Sequence, residues 1–173
     1  MFRVWPELHV EGIFLHLQQQ RQHYASVGRP LDRQQKDMFW PYFSSELLDE
    51  IRLVELRGDR LADLELFGKF RAEKFAPPQI GPMDAHTFID VVVFSQEFDE
   101  RSLFHALVHA VQIRILGLRR YAELWVQGLI QTKAYSSVPL EVHAFSLTSR
   151  FLCPGERFCV EDHVLRRVID GDY

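Results

Sequence analysis

Leu103-Phe104-His105-Ala106-Leu107-Val108-His109-Ala110-Val111-Gln112 is an apolar segment that carries two histidines four residues apart. At about 3.6 residues per turn, positions i and i+4 of a helix lie one above the other on the same face. The ring nitrogens of His105 and His109 can therefore converge on one point. Leu103, Phe104, Leu107, Val108 and Val111 flank that stripe with side chains suited to a core. Two imidazoles in such surroundings need polar partners, because burying an unpaired polar group costs about 1–3 kcal/mol. A divalent metal satisfies both at once, and imidazole is a common zinc ligand. A pair of core histidines bonded to backbone or to a carboxylate fits the same residues, and H-x-x-x-H often arises by chance.

The downstream sequence adds a third donor. Asp99 is placed to cap the histidine helix and Gly117 to end it. A connecting helix over residues 119–134 follows, weakened by Gly128. Val138-Pro139-Leu140-Glu141-Val142-His143-Ala144-Phe145 then opens another helix, over residues 138–152, with Pro139 where a missing N–H costs little. Glu141 falls in its first turn among apolar neighbours, and a carboxylate there needs a partner. A helix returning beside the first would aim it at His105 and His109. Two histidines from one helix and a glutamate from another make up the His₂Glu set of zinc sites that keep an open fourth position.

With Gln112 three residues after His109 and Pro139-Leu140-Glu141-x-x-Ala144 further along, the chain resembles the minimal gluzincin metallopeptidases. It is more similar still to a group of uncharacterised bacterial proteins with H-x-L-V-H-x-x-Q followed by P-x-E-x-x-A. The likeness spans roughly residues 87–151. It implies a zincin-like fold, His105, His109 and Glu141 as zinc ligands, and a peptidase-like cleft over the metal.

One departure changes the expected activity. The peptidase motif is H-E-x-x-H, and its glutamate takes a proton from the metal-bound water. Here that position is Ala106, whose methyl group accepts no proton. General-base assistance is worth about 10²–10⁴-fold. The expectation is thus a zinc-binding, zincin-like protein of non-proteolytic or degraded activity, a pseudoenzyme. Two alternatives stand beside it: a metal-dependent hydrolase or peptidase with a non-standard base, and a structural or interaction protein without metal. Nearby titratable candidates are His143, Glu123, Tyr121 and Tyr135. His143 lies about 200° around the helix from Glu141 and should point away. Tyr135 could donate to an oxyanion or simply pack at a helix junction, and Gln112 could orient a ligand from behind.

The 173 residues suit one domain, at about 100–200 residues per domain. Hydrophobic residues make up 47% and charged residues 25%, with 14 phenylalanines, which fits a protein with a real aromatic core. Twenty basic against 24 acidic side chains give a net charge of −4, and no basic block suggests a nucleic-acid surface. No apolar run approaches the roughly 18 residues of a membrane span. Acids and a histidine stand near the start where a signal peptide needs an apolar stretch, so the expected location is cytoplasmic. The expected partner is a small molecule or a peptide at the metal. Cys153 and Cys159 are read as reduced thiols.

The remaining elements are read more coarsely. Residues 7–25 form a helix with Ile13, Phe14, Leu17 and Tyr24 near helical spacing. On it His9, His16 and His23 recur every seven residues, about 10.5 Å apart, too far for any two to share a metal. They should form a half-solvated polar face. Arg29-Pro30-Leu31-Asp32 opens a short helix that Pro41 ends, and Ser44 or Ser45 caps another over 46–50. Residues 51–57 alternate apolar and charged, as in a half-buried strand, and Gly58-Asp59 turns the chain. Residues 61–74 are ambiguous and 76–82 read as a packed loop. Thr87-Phe88-Ile89-Asp90-Val91-Val92-Val93-Phe94 reads as one strand covered on both faces. Its faces would be Phe88, Asp90, Val92 and Phe94 against Thr87, Ile89, Val91 and Val93. A final amphipathic helix spans 157–169. The fold class is α+β, mostly helical with a small β-sheet.

Overall fold

The computed structural model of the chain describes residues 4–56, 85–95 and 98–173. The readings at 58–59, 61–74 and 76–82 lie outside the described residues. Helices dominate, and four short strands form one mixed sheet, so the architecture is α+β. In chain order the helices are α1 (Val4–Ala25), α2 (Arg33–Phe39), α3 (Ser45–Glu50), α4 (Glu100–Leu116), α5 (Leu118–Thr132), α6 (Pro139–Phe151) and α7 (Val160–Asp170). The strands are β1 (Arg29–Pro30), β2 (Arg52–Glu55), β3 (Ala85–Phe88) and β4 (Val91–Phe94), ordered β1-β2-β4-β3. β2 and β4 run parallel, and the two outer pairings are antiparallel.

The caps follow the side chains. Asp32 closes a capping box with Gln35, accepting from its N–H at 2.8 Å, while Arg29 and Pro30 form the edge strand β1 rather than the start of that helix. Ser44 caps α3. Asp99 accepts from the Ser102 N–H at 2.8 Å and starts α4, which Gly117 ends at φ 77°, a backbone state that suits glycine. The last helix begins at Val160, three residues later than its apolar pattern suggests.

The stretch 87–94 is not one strand but a tight hairpin. Its turn is Ile89-Asp90, with Ile89 at φ 64°. No glycine or asparagine marks this turn, and a β-branched residue rarely adopts that backbone state. Arg21 holds the turn through both oxygens of Asp90, at 2.7 and 2.8 Å. The reversal also moves Phe88 to the other face. Ala85, Val92, Phe94 and Leu53 pack toward α4, whereas Phe88, Val91, Val93 and Val54 pack toward α1 and α5. β4 is interior and β2 belongs to the same sheet, as the sequence pattern requires.

Two cores therefore flank the sheet. One gathers Phe39, Phe43, Phe104, Leu107, Val111, Leu147 and Val164 from α2, the loop after it, α4, α6 and α7. The other gathers Ile13, Leu17, Trp125, Leu129, Val138 and Leu140. Gly128 has a packing reason: a Cβ there would stand 2.8 Å from Pro139 Cδ and 2.9 Å from Val138 Cγ1. Its bare backbone lets the start of α6 lie against α5, and that fixes where Glu141 sits. Among the described residues no helix is long and apolar enough to cross a membrane.

Candidate metal centre

His105 and His109 stand one turn apart on α4, and α6 returns beside that helix. Pro139 at the first position of α6 puts Glu141 in the first turn, facing α4. The three donor atoms meet. His109 Nε2 lies 3.0 Å from His105 Nε2, and Glu141 Oε2 lies 3.2 Å from the former and 3.4 Å from the latter. Donors at 2.0–2.1 Å from a tetrahedral zinc are separated by about 3.3 Å. The triad thus has the spacing of three corners of such a tetrahedron.

The partners behind the rings settle where the protons are. Gln112 Nε2 donates to the Leu140 carbonyl at 3.0 Å, so its Oε1 faces His109 Nδ1 at 2.8 Å and must accept from it. His109 Nδ1 therefore carries the proton and its Nε2 a lone pair. Thr148 behaves similarly. Its hydroxyl donates to the Ala144 carbonyl at 2.7 Å, leaving the oxygen to accept from His105 Nδ1 at 3.4 Å. In the neutral state both Nε2 atoms present lone pairs to each other and to a carboxylate oxygen. Three lone pairs this close repel unless a cation or an added proton lies among them.

The electrostatics show the same demand for positive charge. Burial pulls His109 down, but the Glu141 carboxylate and the hydrogen bonds to Glu141 and Gln112 outweigh it, so its pKa is raised. For His105 burial prevails and its pKa is lowered. Burial would raise Glu141, yet the two histidines hold it well below the usual carboxylate range. The side chains of His105, His109 and Glu141 are 14%, 8% and 2% exposed, so His105 is the side on which the cluster approaches solvent. The Phe145 ring lies against it, 4.6 Å between centroids.

Burial and the nearby Glu141 carboxylate raise the Tyr135 phenol well above its usual pKa. The Tyr121 hydroxyl sits 3.3 Å from His109 Nδ1. Gln112 is behind His109, where the sequence places it. His143 does not join the triad; its Nδ1 and the Tyr173 hydroxyl share a hydrogen bond of 2.7 Å. Glu123 pairs with Arg120 at 3.0 Å. Ala106 is 1% exposed inside the apolar core, and its carbonyl accepts from Thr87 Oγ1 at 2.9 Å.

Three contributors escape a reading of the sequence. Thr148 lies two helical turns after Glu141, on the same face, a spacing that could have exposed it. Tyr173, whose hydroxyl meets His143, and His86 on β3, which feels the Glu141 charge, are brought near by tertiary packing and carry no local signal.

The histidines of α1 differ from the expected half-solvated face. His9 is buried, His16 is half-buried and meets the Phe88 ring edge-on with 5.8 Å between centroids, and only His23 is exposed. The inner face of α1 packs on the sheet and α5, so seven-residue spacing carries the histidines from covered to open ground. Cys153 and Cys159 are exposed free thiols. No known protein family, curated protein or solved structure matches the chain.

Proposed function

We propose that the chain binds one divalent cation, zinc first among them, through His105, His109 and Glu141, in a zincin-like centre without the usual peptidase base. The observation that carries this is the convergence of three lone pairs at 3.0–3.4 Å, with both histidine tautomers fixed from behind. A zinc ion held by two imidazoles and one carboxylate would supply Lewis-acid chemistry at an open fourth position. Gln112 and Thr148 orient the imidazoles. Tyr135, whose phenol feels the Glu141 carboxylate, is the group available to donate to an oxyanion.

Ala106 offers no proton acceptor, and its methyl group is enclosed in the core. We therefore read the protein as a metal-binding module, with peptide hydrolysis at background level. A competing reading has its own support: the raised pKa of His109 means that one proton could take the place of the cation. That version is a polar cluster indifferent to metal.

Thermal unfolding with added zinc separates the two. At a free concentration of 100 times Kd, zinc should stabilise the protein by about 2.7 kcal/mol. His109→Ala and Glu141→Ala should lose that response. A folded protein that zinc does not stabilise would overturn the metal reading. Chelator-sensitive proteolysis by the unaltered chain would overturn the missing-base part of it.

A further inference from the structure

β3 is one of the two edge strands of the sheet, and it is tied to the histidine helix by Thr87 Oγ1 at the Ala106 carbonyl, 2.9 Å away. The preceding residue, His86, pairs in register with Val93, whose side chain lies on the α1 face of the sheet. Its Nε2 is closed off from solvent and has no hydrogen-bond partner among the described residues. Of the charges around it, the Glu141 carboxylate acts most strongly, followed by His16. The ring thus lies within electrostatic reach of both the triad and α1. Burial holds it neutral, with a pKa lowered to about 4, so it carries one N–H and one lone pair.

An imidazole nitrogen left unpaired inside a protein is costly. Because Nε2 is shut off from bulk solvent, its partner has to be something held within the fold. The open fourth position of the metal centre would provide one. The space is also tight, since the triad side chains are 14%, 8% and 2% exposed and Phe145 lies on His105. It suits a ligand of a few atoms and not an extended polypeptide.

We propose that His86 hydrogen-bonds, through Nε2, the ligand at the fourth position of the centre, and that this ligand is compact: water or a small anion. The inference rests on the metal reading above. It gives the edge strand a ligand-binding role and makes the site a small-ligand centre.

The test uses the full chain loaded with cobalt(II), whose visible absorption reports both metal uptake and anion binding. Wild type, His86→Phe and His86→Gln are titrated first with cobalt and then with azide. Cobalt affinity should stay within about threefold across the three proteins, whereas azide should bind His86→Phe about tenfold more weakly, the effect of one lost hydrogen bond. His86→Gln keeps a donor and an acceptor and should stay within about threefold of wild type for azide. His86→Ala replaces the phenylalanine variant if the larger ring is not accommodated. A tripeptide hydroxamate should bind at least about tenfold more weakly than acetohydroxamate, because the tight space excludes its peptide part.

Failure of the wild type to take up cobalt overturns the metal reading, and this inference with it. Normal cobalt uptake with equal azide affinity in wild type and the phenylalanine variant overturns the role of His86 alone. Loss of cobalt affinity by a folded His86→Phe protein also overturns it, because His86 would then act on the metal or the fold. Equal binding of the two hydroxamates overturns the compact ligand.

Discussion

Two helices of this protein carry regularly spaced histidines, and they come to different ends. On α4, His105 and His109 stand one turn apart, and a carboxylate from α6 closes on both within 3.4 Å. On α1, His9, His16 and His23 stand two turns apart and run from buried to exposed. Spacing is part of the difference, since about 10.5 Å of rise keeps the α1 rings from sharing a ligand. The countercharge is the other part. His16 is half-buried, burial is the cause of its shift, and its pKa falls, whereas His109 is fully buried beside Glu141 and its pKa rises. Burial alone makes a neutral packed histidine; burial against a carboxylate makes a place for a cation.

The largest effect should come from removing that carboxylate. Glu141→Ala should lower zinc affinity by more than about 100-fold, beyond what loss of a supporting hydrogen bond costs. His16→Ala and His23→Ala should leave it within about twofold. Competition against a chromophoric chelator measures all three, and an α1 variant that loses zinc would erase the distinction between the helices. A smaller effect is expected from the groups behind the rings. Gln112→Leu should weaken zinc binding about 10–100-fold while the two imidazoles remain. Unchanged affinity would show that tautomer control by Gln112 is dispensable.

Much of this contrast could be read from the chain. His105-x-x-x-His109 and Pro139-Leu140-Glu141 pointed to the three residues that converge, because helical periodicity and a proline-started helix are local properties. Asp99, Ser44 and Gly117 marked helix ends for the same reason. The hairpin at Ile89-Asp90 was hidden because its turn lacks the usual residues and relies on a distant partner, Arg21. His86 and Tyr173 were hidden because the fold brings them to the site from far along the chain. Gly128 read as a weakness in a helix, whereas its missing side chain admits Val138 and Pro139.

That last contact allows the carboxylate side of the comparison to be perturbed without touching the triad. Gly128→Ala would press a methyl group into Pro139 and Val138 and should destabilise the fold by about 1–3 kcal/mol. Zinc binding should weaken with it, because the start of α6 carries Glu141. Chemical denaturation and a zinc titration on the same variant check both parts. A stable variant with full affinity would mean that α6 is not held as described.

The smallest effect is in the pH dependence of the metal-free protein. His109, raised above 6.5, contributes stability that is present below that pH and is lost as pH rises through its folded value. His86 acts in the opposite direction. Its pKa falls from 6.5 to about 4, so the stability it contributes is present above 6.5 and is lost as pH falls toward 4. His16 has the same sign as His86. Ring-nitrogen NMR titrations should place His109 above 6.5 and His16 below it, and Glu141→Gln should bring His109 down. A His109 that titrates below His16 in the unaltered, metal-free protein would remove the countercharge from the explanation.

The central claim is that the meeting point of His105, His109 and Glu141 is a cation site. Elemental analysis of the native protein, purified without chelators or a histidine tag, tests it most directly. The account predicts about one equivalent of a divalent metal per chain, zinc foremost, and its absence from His109→Ala. Native protein that is folded, contains no metal and takes up no added zinc would contradict it.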